Sequence, residues 1–326
     1  MLSGRQGSAH AGGHDMGGAM IAPSGEQIEI IAEDQQAMVV EVGGGLRSYS
    51  AGGRELVDGY GAHEMSSSGR GQALIRWPNR LQDGSYEFDG RRHQLPLNEP
   101  ERRNAIHGLV RWAAWTASTR ERHRVVMEHM LYPQPGYPFA LRLRIEYALL
   151  DNGLPVRTTA TNVGAAACPY GSGAHPYLTL GTAVVDRLIL HTPARTVLQS
   201  DKRGLPIATQ AVKDTEYDFR QPRPIGSTKL DHALTDLERD EDGLARVELR
   251  DPDRGTEVSL WVDKNYPYLM LFSGDPLPDV CRRSLAVEPM TCPPNAFRTG
   301  EALIRLEPGS SFTSTWGIAR GRAHRR

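Results

Sequence analysis

From Gln27 onward the apolar residues fall in short runs closed by glycine, proline, asparagine or aspartate. Within residues 141–150, Leu141, Leu143, Ile145 and Tyr147 alternate with Arg142, Arg144 and Glu146 before Asp151-Asn152-Gly153 turns the chain. A period of two places one face against a core and the other in water. Runs at 28–31, 37–42, 46–50, 187–191, 245–249, 257–262, 268–272, 285–287 and 302–306 also have strand length, and Gly52-Gly53 and Asp89-Gly90 are hairpin signals. No segment sustains a 3.6-residue period with caps. The pattern predicts an all-β chain without interior linker or repeat, and periodicity alone leaves sandwich and barrel open.

Composition changes this picture at the ends. Residues 1–24 are rich in glycine and alanine and hold too little apolar surface to offset the entropy of ordering, so a flexible tail is expected there. The folded domain is expected over 25–320, with 321–326 a short basic tail. The N-terminal stretch lacks the apolar core of a signal peptide, and no run is long enough to cross a bilayer. A cytoplasmic protein without a membrane partner is therefore expected. The net charge of -1, with both signs interspersed, gives no field favouring nucleic acid or an anionic surface. A small neutral ligand fits that balance, and nothing in the pattern fixes an oligomeric state. Cys168, Cys281 and Cys292 lack CxxC spacing, so neither a disulfide framework nor a zinc site is indicated.

Two segments carry candidate chemistry. In residues 283–297, RSLAVEPMTCPPNAF, Glu288 stands between the apolar run Leu285-Ala286-Val287 and the prolines Pro289, Pro293 and Pro294. Those prolines remove backbone donors, so the strand is expected to stop at the carboxylate. In residues 169–180, PYGSGAHPYLTL, Pro176 biases His175 to an extended conformation. Read singly, Glu288 is equally an ordinary strand-end carboxylate, and His175 a hydrogen-bonded structural histidine.

Taken together, GAHPYL, AVEPMTCPPNAF and the earlier NAIHG resemble the aldose 1-epimerase (galactose mutarotase) family. The resemblance spans roughly residues 27–320 and implies a single large antiparallel β-sandwich with a groove on its concave face. It also implies interconversion of the α and β anomers of a free monosaccharide. That reaction removes the proton of the anomeric hydroxyl while the ring oxygen is protonated, then recloses the open aldehyde from its other face. Two opposed groups suffice, and neither cofactor nor metal is implied.

By motif match Glu288 is the base and His175 the acid. At neutral pH an ordinary carboxylate is charged, and an imidazole needs a small shift to donate. His107 of Asn104-Ala105-Ile106-His107-Gly108 matches the sugar-binding histidine. In Arg76-Trp77-Pro78-Asn79-Arg80, Arg80 matches the sugar-binding arginine, and Arg76 and Asn79 are retained, although Ile75 replaces the family's glycine. Asp231 of Lys229-Leu230-Asp231-His232-Ala233 matches an aspartate that accepts from sugar hydroxyls. Trp77, Tyr177 and Trp261 are either flat faces for a pyranose or core.

The segment 77–112 is similar to a bacterial subgroup that includes mutarotases of the sulfonated sugar sulfoquinovose. An anionic substituent wants a further arginine, and Arg76, Arg111 and Arg282 are the candidates. The rival readings are a non-catalytic carbohydrate-binding or sugar-responsive protein on the same fold, and a mutarotase of a sulfonated or phosphorylated hexose.

Overall fold

The computed structural model describes residues 21–321. The expected tail therefore lies outside the described residues over 1–20, and 322–326 likewise. Ser24 is already built in, because its carbonyl accepts Val42 N–H at 3.0 Å.

Two large antiparallel sheets form the body, one of nine strands and one of eight. Their packed faces come from the alternation legible in the sequence. Leu141, Leu143, Ile145 and Tyr147 of the strand Leu141–Ala148 are buried, and Arg142, Arg144 and Glu146 between them are not. That strand pairs with Arg124–Leu131 on one side and Leu154–Asn162 on the other, and Ser311–Arg320 continues the sheet. Residues from both sheets make one contiguous core, including Leu143, Val156, Leu260, Ile75, Leu269 and Val287. Both hairpin signals are turns, Gly52-Gly53 closing Leu46–Ala51 onto Arg54–Glu55 and Asp89-Gly90 joining Ser85–Phe88 to Arg91–Gln94. Helix is confined to the single turn Ala296–Thr299 and a 3-10 turn at Pro100–Arg102 among the described residues.

The eight-stranded sheet carries the expected chemistry. Its order places Asp231–Leu237, Tyr268–Phe272, Leu285–Met290, Ser172–Ala174 and Ala73–Ile75 side by side, with Tyr177–Leu178 also paired to Leu285–Met290. The strand expected to stop at Glu288 instead runs through Pro289 to Met290. Val287 N–H reaches Pro176 O and Thr291 N–H reaches Ser172 O. Alternation aims the Pro289 nitrogen at the same side, into the gap where the neighbouring strand breaks between Ser172–Ala174 and Tyr177–Leu178. Proline has no N–H to give there, so the ladder passes Pro289 without a bond from it and the strand continues to Met290.

Among the described residues no helix is long and apolar enough to cross a membrane. All three cysteines are free, Cys168 and Cys292 buried and Cys281 exposed.

Candidate active site

Register puts Glu288 opposite Met270, and Asp231 opposite Phe272, which in turn opposes Ala286. Because opposed residues share a face and so do residues two apart, Asp231, Met270 and Glu288 project from the same side of the sheet. Tyr268, Met270, Met290, Ala233 and Leu198 form a small apolar cluster distinct from the main core. His232 lies one residue out of phase and packs against Tyr217 at 4.3 Å between ring centroids.

The break in the neighbouring strand brings His175 beside Glu288. Its Nε2 lies 3.3 Å from Glu288 Oε1, and both side chains are nearly inaccessible, at 6% and 2%. Glu288 Oε2 and His175 Nδ1 are buried without a hydrogen-bond partner among the described residues. Unpaired buried acceptors and donors are costly, which marks this pair as built for something other than stability.

His107 completes the cluster, edge-on to His175 with 5.4 Å between ring centroids. It enters through a loop of strained backbone, with φ of 62° at His107 and 56° at Asn79. Gly108 is required next, since a Cβ there would lie 1.9 Å from Ile75 O. Asn79 N–H donates to His107 Nδ1 at 3.2 Å, and His107 N–H donates to Asn79 O at 2.9 Å. Asn79, expected to bind substrate, has a buried side chain whose Oδ1 accepts Arg80 N–H at 2.9 Å. It shapes the turn that holds His107.

One ligand atom from each of His107, His175 and Glu288 lies within 4.8 Å of the others, a spacing a metal ion could span. The donor chemistry does not suit one. With His107 Nδ1 accepting a backbone N–H, the neutral ring carries its proton on Nε2, which then donates and has no lone pair for a cation. A hydroxyl oxygen is the better match for that N–H.

Arg80 is held by Glu99, whose carboxylate accepts from Nε at 3.0 and 3.1 Å and from Nη2 at 3.0 Å. Its Nη1 has no hydrogen-bond partner among the described residues and faces the Gly204 turn, where a Cβ would come within 2.7 Å of it. Asn295 clamps this segment to the loop after Glu288, its N–H donating to Arg80 O at 2.6 Å and its Oδ1 accepting Gln82 N–H at 3.0 Å. Arg80 and Asp231 are both close enough for their charges to act on Glu288, in opposite directions.

Arg76, expected in the same site, is not there. It has a positive φ of 99° as the chain leaves Ala73–Ile75, and its guanidinium lies fully buried 3.6 Å from the centroid of the Tyr137 ring. Its electrostatic neighbours are Tyr137, Tyr86 and Cys168, and burial lowers its pKa to about 10. Arg282 is likewise committed, to the carboxylates of Asp186 and Asp275 and the carbonyls of Gly226 and Thr228. Arg111 is the candidate that stands beside the site, where its charge acts on both His107 and His175. Its one hydrogen-bonding neighbour is Gln72, at 3.3 Å, and no carboxylate pairs with it among the described residues. Trp77 and Tyr177 are buried, against Phe297 and His175 respectively, and the Trp261 ring lies across Gly317.

Electrostatics depart from the simple expectation of a charged carboxylate and a protonated imidazole. Burial pushes Glu288 well above the usual carboxylate range, Asp231 adding to this and Arg80 opposing it. Burial, reinforced by Arg111 and Arg70, pulls His175 down to about 3. His107 is lowered too, by burial and then by His175, Arg111 and Arg80. Uncharged forms suffer least from desolvation, so burial favours a protonated carboxyl on Glu288 and a neutral imidazole on His175. The Glu288–His175 pair then holds a single proton.

The aldose 1-epimerase family model matches residues 26–319. The chain belongs to the aldose 1-epimerase family. Within it, the chain is 37% identical over 287 residues to the uncharacterised protein YihR of Escherichia coli, covering 88% of this chain and 90% of that one. It is 27% identical over 248 residues to the maltose epimerase of Levilactobacillus brevis, covering 68% and 71%. The fold matches an aldose epimerase homologue from C. elegans with a TM-score of 0.80 at 20% identity, over 91% of this chain and 98% of that structure. The galactose mutarotase-like β-sandwich expected from the motifs is thus the fold of this chain.

Sequence reasoning missed the groups that hold the site residues in place. Glu99 lies 19 positions from Arg80 and carries no motif of its own. Asp58 and Arg70, which support Tyr177 beside His175, carry no motif either, whereas Tyr177 lies within GAHPYL itself.

Proposed function

We propose that this protein is an aldose 1-epimerase that opens and recloses a free pyranose with Glu288 and His175 as its proton-transfer pair. The observation that carries the reading is the 3.3 Å contact between two buried, opposed ionisable groups, each with an unpartnered atom. One shared proton is enough for the cycle. With the proton on His175, Glu288 takes the anomeric hydroxyl proton as His175 gives its own to the ring oxygen, and the C1–O5 bond breaks to the aldehyde. The pair is then left as a carboxylic acid and a neutral imidazole, the form that burial favours. Rotation about C1–C2 and the reverse transfers close the other anomer.

Starting the cycle requires the proton to sit on His175. Arg80, which already lowers the Glu288 pKa, and hydroxyl donors reaching Oε2 favour the carboxylate when sugar binds. His107 Nε2–H and Arg80 Nη1 donate to sugar hydroxyls, and Asp231 accepts from them. A pure sugar-binding protein would have no use for the unpaired acid and base. The test is polarimetry or exchange NMR on freshly dissolved α-glucose and α-galactose, against buffer and against Glu288→Gln. Equilibration no faster than buffer for every sugar tried would overturn the reading.

A second reading, an anionic hexose as the preferred substrate, is favoured by Arg111, a partly buried cation beside the two histidines with no carboxylate partner among the described residues. It predicts that Arg111→Met raises KM for a sulfonated or phosphorylated hexose far more than for a neutral one.

A further inference from the structure

We propose that Arg70, anchored by Asp58 and stacked on Tyr177, is a positioning residue that fixes the plane and charge state of His175. This rests on the epimerase reading for its catalytic consequence. The Tyr177 ring lies 5.0 Å from the His175 imidazole, centroid to centroid, with 15° between planes. The Arg70 guanidinium carbon is 4.3 Å from the centroid of the same tyrosine. Arg70 is 2% exposed, donates Nη2–H to Asp58 Oδ2 at 3.2 Å, and leaves Nε and Nη1 without partners among the described residues. A cation buried with two unpaired nitrogens is costly unless another contact compensates. Here the tyrosine face supplies it, through the attraction of a guanidinium for an aromatic ring.

The anchor also serves the base. Asp58 accepts from Arg283 Nε at 3.0 Å and Nη2 at 2.9 Å and from Ser284 Oγ at 2.6 Å. Those two residues lead directly into Leu285–Met290, the strand of Glu288. Asp58 N–H donates to Tyr177 O at 2.8 Å, so one residue ties the aromatic support of the acid to the strand of the base. The turn before Arg70 closes the remaining side. Tyr177 OH donates to Ser68 O at 2.8 Å, and a Cβ at Gly69 would lie 2.6 Å from His175 Cδ2. The ring is left little freedom to tilt away from Glu288.

The groups acting on His175 are Glu288 in contact, His107 edge-on, and the cations Arg111 and Arg70. Both cations disfavour the imidazolium, so removing Arg70 eases protonation of His175.

The test uses the full chain with four substitutions: Arg70→Met, Arg70→Lys, Tyr177→Phe and Tyr177→Leu. Two readouts are taken, kcat and KM by exchange NMR, and the 15N shifts of the His175 ring followed with pH in the empty protein. Arg70→Met is expected to lower kcat about tenfold with KM nearly unchanged, as for a misplaced catalytic group, and to move His175 protonation to higher pH. Arg70→Lys should keep the wild-type titration because the cation remains. Tyr177→Phe keeps the aromatic face and loses only the Ser68 hydrogen bond, so its loss of kcat should be smaller than that of Tyr177→Leu, which should lose kcat as Arg70→Met does. A His175 titration unmoved in Arg70→Met overturns the proposal, whatever happens to the rate. So does a loss that Arg70→Lys fails to mitigate in either readout. If wild type itself shows no catalysed exchange, the epimerase reading falls, and the 15N titration still decides whether Arg70 controls His175.

Discussion

The nine-stranded sheet pairs its strands over long registers, whereas the eight-stranded sheet is interrupted where it carries Glu288 and His175. Leu141–Ala148 meets Arg124–Leu131 at every position of both strands, and Leu154–Asn162 continues the ladder to Ser311–Arg320. On the outer face of that sheet hydroxyls pair with hydroxyls, Thr159 with Thr313 at 3.0 Å and Thr161 with Ser311 at 2.8 Å. In the other sheet Ser172–Ala174 meets Leu285–Met290 at the single position Gly173–Met290 before the chain breaks away to place His175. The scaffold sheet maximises pairing. The site sheet gives up pairing to put two ionisable groups in a dry place, and the difference predicts that substitutions in the two regions will act on different observables.

The largest effect expected is on rate at Glu288. Glu288→Gln should lower kcat by about 10²–10⁴-fold, the usual worth of a general base, while sugar binding persists. Exchange NMR checks this, and near wild-type turnover would sink the mechanism. The same variant should separate rate from stability. A carboxyl whose pKa is raised by folding contributes its full stability below the unfolded value, near 4.5, and loses it as pH rises through the folded value. Glutamine never ionises. The melting temperature of Glu288→Gln relative to wild type should therefore climb as pH is raised from acid through neutrality.

Next comes the scaffold. Leu143→Ala removes a fully buried side chain from the strand Leu141–Ala148 and should cost about 2–5 kcal/mol of stability. Denaturant melts measure the cost, and kcat per folded molecule should not change. A matching loss of kcat would mean that the two sheets are not separable in the way their pairing suggests.

The pH dependence sharpens the comparison further. Activity needs the Glu288–His175 pair to hold one proton, so the acidic limb of kcat/KM reports addition of a second and the alkaline limb reports loss of the first. His175 is pulled down to about 3 and Glu288 is pushed up. The limbs should thus lie farther apart than ordinary histidine and carboxylate values would give, with a broad plateau between. A narrow bell centred between those ordinary values would show that burial does not set these two protonation equilibria in the working enzyme.

Much of this was legible in the sequence, for identifiable reasons. The scaffold strands were visible because a sheet with one wet face writes its register as alternation, as Leu141, Leu143, Ile145 and Tyr147 do. Glu288, His175 and His107 were visible as motifs, and the fold does bring them within one cluster. The continuation through Pro289 was hidden because proline reads as a strand end unless the gap in the neighbouring strand is known. Arg76 was misplaced for a related reason. Its motif position sets it near Arg80, but a positive φ turns its side chain into the interior. The supports, Glu99 for Arg80 and Asp58 for Arg70, act across folded distances, and Asp58 joins segments more than two hundred positions apart. The resting place of the proton depends on burial, which no motif records.

The smallest effect is expected on the outer face of the scaffold. Thr159 and Thr313 share a hydroxyl contact at an exposed position, where water can replace either partner at little cost. Thr159→Ala should therefore change stability by no more than about 0.5 kcal/mol, the usual range for surface substitutions away from special features. The contrast with Glu288 is instructive, because Thr159 has its partner and is nearly dispensable, whereas Glu288 Oε2 has none among the described residues and is essential to the proposed chemistry. A double-mutant cycle with Thr313→Ala measures the coupling directly. Coupling well above that range would show that the hydroxyl pairs fasten the scaffold strands, and that satisfied contacts on this face matter more than the comparison of the two sheets allows.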